Sequence, residues 1–380
     1  MTPKERVLAA INHRMPDRIP TDLGTTNCTS IVKATYDKLK GKFGIKAQDR
    51  MMFSPFQIML CDEEILDVLQ IDTRAVTGDY DAYEQKQWIS PSMYKDRFGV
   101  TFKMPDNGLY FDFYDCPLKE FDSIQQIEAN YAWPNPVIPE EVTGLRERAR
   151  RLHEENRYAI VGDIVNSGIW ERSQNLRGFQ NTLVDLLINK EIMHYILSKM
   201  TEHQKKRQEQ YLDAVGEYLD VVFVGDDLAT TQSTVMSLET FQEMVKPYLK
   251  DYWAFIKARA PKAKLMYHSC GAIVPFLDDL IEIGVDILNP IQVNAAGMDT
   301  LELKKRFGDR LVFWGAIDAH TVMPRGTTAD VEAEVEKRIK ELGPSGYVLC
   351  ENHNLQADVP PENVITMYTH AKKVVLEKIG

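Results

Sequence analysis

The stretch that decides the fold reads Val221-Val-Phe-Val-Gly-Asp-Asp227, followed by Ser237-Leu-Glu-Thr-Phe-Gln-Glu-Met-Val245 and then Lys264-Leu-Met-Tyr267. The first and last pieces contain short apolar runs, which are typical of strands buried on both faces. The middle piece begins with a serine that can cap a helix and continues with an apolar rhythm that favours a helix. A strand, a helix and a second strand in this order form the repeating unit of a parallel α/β sheet.

The same alternation extends outward from this stretch in both directions. Each short apolar run ends in a small or polar residue and precedes a longer segment with helical spacing. The runs are Ile19 to Gly24, Asp72 to Thr77, Tyr158 to Gly162, Val221 to Gly225, Lys264 to Tyr267, Asp286 to Asn289, Leu311 to Trp314 and Tyr347 to Leu349. Eight strands that alternate with helices are the number of a (β/α)8 TIM barrel. We therefore expect residues 1–380 to form a single α/β barrel domain.

Two segments lie outside this rhythm. Thr2-Pro-Lys-Glu5 carries a capping threonine, a proline suited to the first helical position and a glutamate three residues after the cap, so it predicts an N-terminal helix. Residues 88–133 are rich in aromatic side chains and carry Asp106-Asn-Gly108 between extended stretches. This pattern predicts a β-hairpin insertion within residues 85–135, placed over one end of the barrel.

Composition excludes several classes of function. The net charge is −11, and the chain has no cluster of Lys and Arg mixed with aromatic residues, which argues against nucleic-acid partners and anionic membrane surfaces. No stretch approaches the roughly 18 uninterrupted apolar residues that a membrane helix needs. The five cysteines are scattered, and the first residues lack the apolar core of a signal peptide, so we expect a cytoplasmic protein with free thiols.

Polar side chains collect where the predicted strands end. Ligands of parallel α/β folds bind beyond the carboxyl ends of the strands, because the loops converge there. The candidates for substrate binding are Thr25, Asn27, Asp163, Asn166, Asn289 and Asp318. The alternative for any one of these Asp and Asn residues is that it caps the helix that follows.

The sharpest local motif is His268-Ser-Cys-Gly271. Alternate side chains of an extended segment face the same way, so His268 and Cys270 share a side and a metal ion could take both. Imidazole and thiolate suit Zn²⁺, and a catalytic zinc takes three protein ligands and one open position. The candidate third ligand is His353, because it follows the last predicted strand and would lie at the same mouth. The candidates for a fourth ligand are Cys350, Glu351, Asp226 and Asp227.

The alternative to a metal site is that His268 and Cys270 are ordinary core residues, since buried cysteines and hydrogen-bonded core histidines are common. Asp226 and Asp227 raise a similar choice. Adjacent desolvated carboxylates raise each other's pKa, which suits a proton donor in catalysis or a further metal ligand. Either of them can also be a helix cap.

With these motifs the sequence resembles the uroporphyrinogen decarboxylase superfamily, and within it the branch of corrinoid-linked methyltransferases. The motifs that carry the resemblance are Thr2-Pro-Lys-Glu-Arg-Val7, Gly225-Asp-Asp-Leu228, His268-Ser-Cys-Gly271, Ile283-Gly-Val-Asp-Ile-Leu-Asn-Pro290, Phe313-Trp-Gly-Ala-Ile-Asp318 and His353-Asn-Leu-Gln-Ala-Asp358. The resemblance implies a (β/α) barrel. It also implies a zinc site, because methylcobamide methyltransferases of this superfamily hold zinc with a His-x-Cys pair and a distant Cys, in whose place His353 stands here.

The resemblance implies a zinc-dependent methyltransferase that moves a methyl group between a small methylated substrate, or a thiol acceptor, and the cobalt of a corrinoid. The corrinoid is expected on a separate protein, because Asp318-Ala-His-Thr-Val-Met323 lacks the glycine of the carrier motif Asp-x-His-x-x-Gly. Aromatic methyl ethers, methylamines and methylthiols all remain open as methyl donors.

Two alternatives remain. A uroporphyrinogen-type decarboxylase is less favoured, because the loop Gly24-Thr-Thr-Asn-Cys-Thr-Ser30 contains no arginine to bind a substrate with many carboxylates, and Arg172 and Arg177 are few for that task. A noncatalytic barrel subunit is the other alternative. Intact zinc ligands argue against it.

Overall fold

The structure is a computed structural model that describes residues 1–106, 108–165 and 168–376. Its strands in these ranges are β1 (Met51–Phe53), β2 (Ile58–Met59), β3 (Thr73–Thr77), β4 (Gln87–Ser90), β5 (Met93–Lys95), β6 (Thr101–Lys103), β7 (Asp112–Asp115), β8 (Ala159–Asp163), β9 (Val221–Gly225), β10 (Lys264–His268), β11 (Ile287–Asn289), β12 (Val312–Ile317) and β13 (Tyr347–Glu351).

Helices connect these strands. The α-helices are α1 (Pro3–Ile11), α2 (Lys33–Phe43), α3 (Glu63–Val68), α4 (Tyr80–Glu84), α5 (Ile124–Asn130), α6 (Leu145–Glu155), α7 (Ile169–Arg177), α8 (Phe179–Asp185), α9 (Lys190–Val215), α10 (Leu238–Thr240), α11 (Lys246–Arg259), α12 (Leu277–Glu282), α13 (Thr300–Phe307), α14 (Val322–Arg325), α15 (Thr328–Leu342) and α16 (Pro361–Ala371). Short 3-10 turns lie at Ser54–Phe56, Pro139–Val142, Gly216–Tyr218 and Val274–Phe276, and a π-helical turn at Phe241–Val245 joins α10 to α11. Within the described ranges, no helix has both the length and the apolar character needed to cross a bilayer.

The centre of the molecule is a curled parallel sheet of seven strands in the order β13-β12-β11-β10-β9-β8-β3. Seven of the eight predicted runs form these strands, and each contributes a strand in chain order, as expected for a TIM-barrel-like fold. Alternate residues face opposite sides: Val221 and Phe223 belong to the cluster inside the sheet, whereas Val222 and Val224 pack outward among the helices. The apolar runs are continuous because both faces are covered.

The first predicted run, Ile19 to Gly24, does not form a strand but joins the two edges of this sheet. Thr21 makes a parallel bridge with Leu349 of β13. On its other side, the carbonyl oxygen of Thr21 accepts the N–H of Asp72, the residue before β3, at 3.0 Å. Pro20 has no N–H, and the N–H of Thr21 donates to the Asp72 carboxylate at 2.9 Å. Residues 20 and 21 therefore contribute no main-chain N–H to hydrogen bonds between strands, which limits the segment from Ile19 to Gly24 to a single β-bridge.

Helix α1 packs against the amino-terminal end of the sheet. Its predicted capping box is present, with Thr2 Oγ1 accepting the Glu5 N–H and the Glu5 carboxylate accepting the Thr2 N–H. Val7, Ala10 and Ile11 belong to the same buried cluster as the inward-facing strand residues. This leaves the opposite, carboxyl-terminal end of the strands as the place for a site.

The insertion is a four-stranded antiparallel sheet, β4-β5-β6-β7, rather than the single predicted hairpin. A second tight turn accounts for the difference: the Asp96 carboxylate accepts the N–H groups of Phe98 and Val100, and Gly99 has φ +82°. Asp and Gly at such positions are turn signals that the sequence reading missed. Of the predicted turn Asp106-Asn107-Gly108, Asn107 lies outside the described residues.

We predict that Asp72→Ala destabilises the protein strongly. The Asp72 side chain is fully buried and accepts hydrogen bonds from Arg6 at 2.6 Å, from Arg18 at 2.8 Å and from the main chain of Thr21. Removing this carboxylate takes away the acidic partner of Arg18 and leaves Arg6 with Asp17 alone, so the free energy of unfolding should fall by about 3 to 5 kcal/mol in urea denaturation. The matched control is Asp309→Ala, whose side chain is 83% exposed and should cost less than about 0.5 kcal/mol. Equal effects of the two changes would contradict this account of the sheet edges.

Candidate functional site

Three side chains with metal-binding atoms come together at the carboxyl ends of neighbouring strands. His268 is the last residue of β10, Cys270 follows two residues later, and Asp227 lies two residues beyond β9. Their ligand atoms all lie within 4.8 Å of one another. His268 Nε2 is 3.5 Å from Cys270 Sγ and 3.9 Å from Asp227 Oδ1. We call these three residues the metal cluster.

The orientation of His268 is fixed by a hydrogen-bond chain behind the ring. The amide nitrogen of Asn289 donates to the carbonyl oxygen of Trp314 at 3.0 Å, so its amide oxygen must face His268 Nδ1, at 2.7 Å. Nδ1 therefore carries the proton, and Nε2 presents a lone pair to the metal cluster. This is the support that metal-ligating histidines usually have.

The sequence predicts Asn289 as a substrate-binding residue, whereas the structure shows its side chain engaged behind His268. Its side chain is 1% exposed, and both of its amide atoms are occupied within the protein. The structure gives it the role of positioning His268.

The main chain holds Asp227 and Cys270 beside each other. The N–H of Cys270 donates to Asp227 Oδ1 at 2.7 Å. Gly271 follows with φ +89°, and a Cβ atom at this position would overlap the carbonyl group of Thr230. Only glycine therefore allows the chain to turn away immediately after the ligand pair.

The electrostatics of the metal cluster favour a bound cation. Burial raises the pKa of the Cys270 thiol well above its usual value, and the carboxylates of Asp227 and Glu171 raise it further. A divalent ion between the thiolate and the carboxylate would offset both effects. One nitrogen, one sulfur and one oxygen ligand form a donor set that fits zinc.

The third member of the metal cluster is Asp227 and not His353, the third ligand expected from the sequence. The His353 ring lies edge-on to the His268 ring, with 6.4 Å between the ring centroids. Strands β11 and β12 separate β10 from β13, whereas β9 is the direct neighbour of β10, so Asp227 approaches more closely. Burial and the nearby His268 lower the pKa of His353 to about 4, which keeps its ring neutral. A ligand role for His353 stays a prediction.

Two other candidates for a fourth ligand are held elsewhere. Cys350 is fully buried inside the sheet, where its thiol donates to the carbonyl oxygen of Glu351 at 3.3 Å. The Glu351 carboxylate accepts a hydrogen bond from Tyr368 at 3.2 Å. Neither side chain belongs to the metal cluster.

Asp226 caps a helix, and its carboxylate is not part of the metal cluster. Its carboxylate accepts the N–H groups of Trp170 at 3.1 Å and Glu171 at 2.8 Å, at the start of α7. A Cβ atom at Gly168 would overlap this carboxyl group, so the close approach requires glycine. Burial raises the pKa of Asp226 to about 7, and the charge of Asp227 adds to the effect. The helix-cap alternative is therefore the one observed.

The cap brings Glu171 to the site, a residue that the sequence reading missed. Burial raises its pKa well above the usual value, and the charges of Asp227 and Asp226 raise it further, although the N–H of Asp227 donates to it. Glu171 lies in the first turn of α7, where acidic residues commonly interact favourably with the positive end of the helix dipole. Only the contact between Asp226, the residue after β9, and the start of α7 reveals that Glu171 lies beside the metal cluster.

Most of the other predicted substrate residues hold loops together. The buried Asp163 carboxylate accepts the N–H groups of Asn27 at 2.9 Å and Val165 at 2.6 Å, and burial raises its pKa to about 6. Thr25 is 1% exposed and donates to the buried carboxylate of Asp22 at 2.8 Å. These contacts tie the loop after Gly24 to β8.

Asp318 is likewise a local cap, because its carboxylate accepts the N–H groups of His320 at 2.8 Å and Thr321 at 3.0 Å. Asn166 lies outside the described residues. Of the residues predicted to bind substrate, Asn27 is the one that the structure places along the cavity above the metal cluster.

That cavity measures about 330 Å³, a size that suits a small molecule. Asp227, His268 and His353 line one end of it. Its walls are aromatic, and the rings belong to Phe53, Phe56, Tyr80, Tyr94, Phe102, Phe111, Phe113 and Phe223. We call it the aromatic cavity. Four of these rings come from the insertion, which thus covers the mouth of the sheet.

Arg172 is the cationic side chain along the aromatic cavity, and it is already paired. Its guanidinium forms a salt bridge with Asp96, and both side chains are at least nine-tenths buried. The acidic residues along the cavity are Asp112, Glu171 and Asp227. Over the ranges that the structure covers, the aromatic cavity therefore offers no unpaired arginine or lysine to an anionic substrate.

Comparison with known proteins places the chain in a family. The sequence profile described as "Uroporphyrinogen decarboxylase (URO-D)" matches residues 96–374. The rice protein "Uroporphyrinogen decarboxylase 2, chloroplastic" (Oryza sativa subsp. japonica) is 26% identical over 184 residues, which are 48% of this chain and 44% of that protein. The protein of the same name from Arabidopsis thaliana is 23% identical over 257 residues, 66% of this chain and 61% of that protein. The chain thus spans about half the length of the curated relatives that it matches.

A solved structure has the same fold over nearly the whole chain. The "methyltransferase from Methanosarcina mazei" superposes with a TM-score of 0.69 at 16% identity, covering 98% of this chain and 99% of that one. At this identity the likeness concerns the fold alone. The profile match, by contrast, covers well over half of the sequence. The chain belongs to the uroporphyrinogen decarboxylase (URO-D) family.

Proposed function

We propose that the protein is a zinc-dependent methyltransferase that moves a methyl group between a small methylated substrate, or a thiol acceptor, and the cobalt of a corrinoid on a separate protein. The observation that carries this proposal is the metal cluster of Asp227, His268 and Cys270 at the floor of an aromatic cavity, along which the described residues include no unpaired cationic side chain. The fold shared with a methyltransferase is consistent with it.

The metal cluster would hold the zinc ion, with His268 kept in the ligating tautomer by Asn289. When bound, zinc supplies Lewis acidity, which stabilises a thiol as thiolate or polarises the heteroatom that loses a methyl group. The Cys270 N–H keeps the Asp227 carboxylate turned toward the other two ligands.

Glu171 is suited to handle the proton of the reaction. Its raised pKa lets the carboxyl group hold a proton beside Asp227, and it can donate that proton to the heteroatom from which the methyl group departs. His353, neutral and buried at the same end of the cavity, can accept a hydrogen bond from the substrate. Asp226 acts indirectly, because it holds the helix turn that carries Glu171.

A uroporphyrinogen-type decarboxylase is the second candidate, and membership of the URO-D family favours it. The side chains of the aromatic cavity argue against it. A substrate that carries several carboxylates would meet Asp112, Glu171 and Asp227, while Arg172 is already paired with Asp96. Burying carboxylates without cations carries a desolvation penalty, and the like charges add repulsion.

We predict about one zinc ion per chain by elemental analysis, and loss of that zinc in Cys270→Ser. Asn289→Ala should lower zinc affinity about 10- to 100-fold in competition with a chromogenic chelator, because the His268 ring loses the partner that orients it. Cys116→Ser is the control and should bind zinc normally, since Cys116 lies outside the metal cluster. Zinc binding that survives Cys270→Ser unchanged would contradict the proposed ligand set, whereas failure of the unaltered protein to bind zinc would support a noncatalytic barrel.

We predict zinc-dependent methyl transfer with free cobalamin. Reduced cobalamin mixed with methyl ethers, methylamines and methylthiols should show the spectral change of methylation with at least one donor class, or methylcobalamin should lose its methyl group to a thiol. Glu171→Gln should slow transfer about 10²-fold or more, because the amide cannot supply the proton. Decarboxylation of uroporphyrinogen, together with no corrinoid methylation across the panel, would favour the second candidate.

A further inference from the structure

The aromatic rings of the cavity form two packed groups. Phe53 contacts Tyr80 with ring centroids 4.5 Å apart and Phe56 at 5.1 Å, in edge-to-face arrangements. Tyr94 contacts Phe111 at 5.0 Å and is stacked on Phe102 at 5.3 Å. These contacts fix the rings against one another, so the wall is preorganised and presents aromatic faces and edges to the ligand.

A cation already associates with two of these rings. Lys86 Nζ lies 5.4 Å from the centroid of the Tyr80 ring and 5.6 Å from that of Tyr94. Lys86 is hydrogen-bonded to Ser54 and to Asp81 and does not line the cavity. It therefore contacts the wall without filling the interior.

Charge along the cavity adds to the attraction for cations. If a zinc ion is bound, the charges of Asp227 and of the Cys270 thiolate balance it, and Asp96 neutralises Arg172. The Asp112 carboxylate then remains as a charge along the cavity, so it attracts a cationic ligand and repels an anionic one.

We infer that the aromatic cavity binds a methylated ammonium group as part of the substrate. Such a group has no N–H to satisfy, its charge is spread over the methyl groups, and aromatic walls recognise it through cation–π attraction. A cavity of about 330 Å³ is large enough for this head group and a short chain that reaches the metal cluster. The inference rests on the proposed function only in taking the cavity as the substrate site.

The test compares two ligands that differ in charge but hardly in shape. Choline and 3,3-dimethylbutan-1-ol share a skeleton in which a quaternary nitrogen replaces a quaternary carbon. In calorimetric titrations of the zinc-loaded protein without corrinoid, choline should bind at least about 10-fold more tightly. Equal or weaker binding of choline would overturn the inference. Anisole, a neutral aromatic methyl ether, is titrated in parallel, and tighter binding of anisole than of choline would also overturn it.

A pair of variants separates cation–π attraction from simple apolar contact. Phe111→Leu keeps an apolar side chain in the cavity but removes a ring, and it should weaken choline about 3- to 30-fold while leaving 3,3-dimethylbutan-1-ol nearly unchanged. Tyr114→Leu is the matched control in the same insertion, because Tyr114 is 59% exposed and does not line the cavity. An equal loss of both ligands in Phe111→Leu would mean that the wall is only apolar and would overturn the inference.

Asp112→Asn provides a second variant in case Phe111→Leu fails to fold, because it removes the carboxylate charge along the cavity. It preserves shape and should weaken choline, but not the neutral alcohol, by several-fold. Failure of the inference is distinguishable from failure of the proposed function. Selective choline binding without any methyl transfer would count against the methyltransferase alone, whereas methyl transfer from neutral donors without choline binding would count against the inference alone.

Discussion

The rest of the structure depends on the join between the two edges of the curled sheet, made by the short segment around Thr21. Its main chain hydrogen-bonds to β13 on one side and to the residue before β3 on the other. The buried carboxylate of Asp72 holds this segment through Thr21 and two arginines. Because the edges meet, His353 after β13 and Asn27 after Thr21 reach the same cavity as the metal cluster. In an open, flat sheet these residues would be separated by the full width of seven strands.

Two aspartates of the site have different surroundings, and the burial of each side chain determines whether it supports the fold or is open to a ligand. Asp226 and Asp227 are neighbours in sequence, yet the side chain of one is enclosed at the start of α7 and that of the other is 42% exposed beside His268. The enclosed carboxylate of Asp226 accepts hydrogen bonds from two main-chain N–H groups instead of from water, which makes it a structural cap. The exposed carboxylate keeps free lone pairs, which makes it available to a metal ion or a substrate. Two adjacent aspartates therefore differ in what they can do: Asp226 supports the fold, and Asp227 is accessible to a ligand.

Local patterns in the sequence predict whatever depends on neighbours along the chain. Seven of the strands follow from short apolar runs, and the proximity of His268 to Cys270 follows from the alternation of side chains at a strand end. Contacts between distant segments decided the features that the sequence did not reveal. The turn between β5 and β6, the position of Glu171 next to Asp227 and the role of Asn289 behind the His268 ring are of this kind. For the same reason Asp227, which follows the neighbouring strand β9, completes the metal cluster, and the ligand role of His353 stays a prediction.

The barrel and the insertion supply different parts of this site, so the wall of the cavity can change while the metal cluster stays the same. The metal cluster and its support come from β9, β10, β11 and the residues that follow them, whose positions are set by the hydrogen bonds of the parallel sheet. Most of the rings above it come from the long connection between β3 and β8, which contains the insertion. Changes in that connection alter the shape and the aromatic content of the wall and leave the ligand atoms in place. The acidic side chains of Glu171 and Asp227, by contrast, belong to α7 and to the residues after β9, so they keep their positions along the cavity whatever rings the insertion presents.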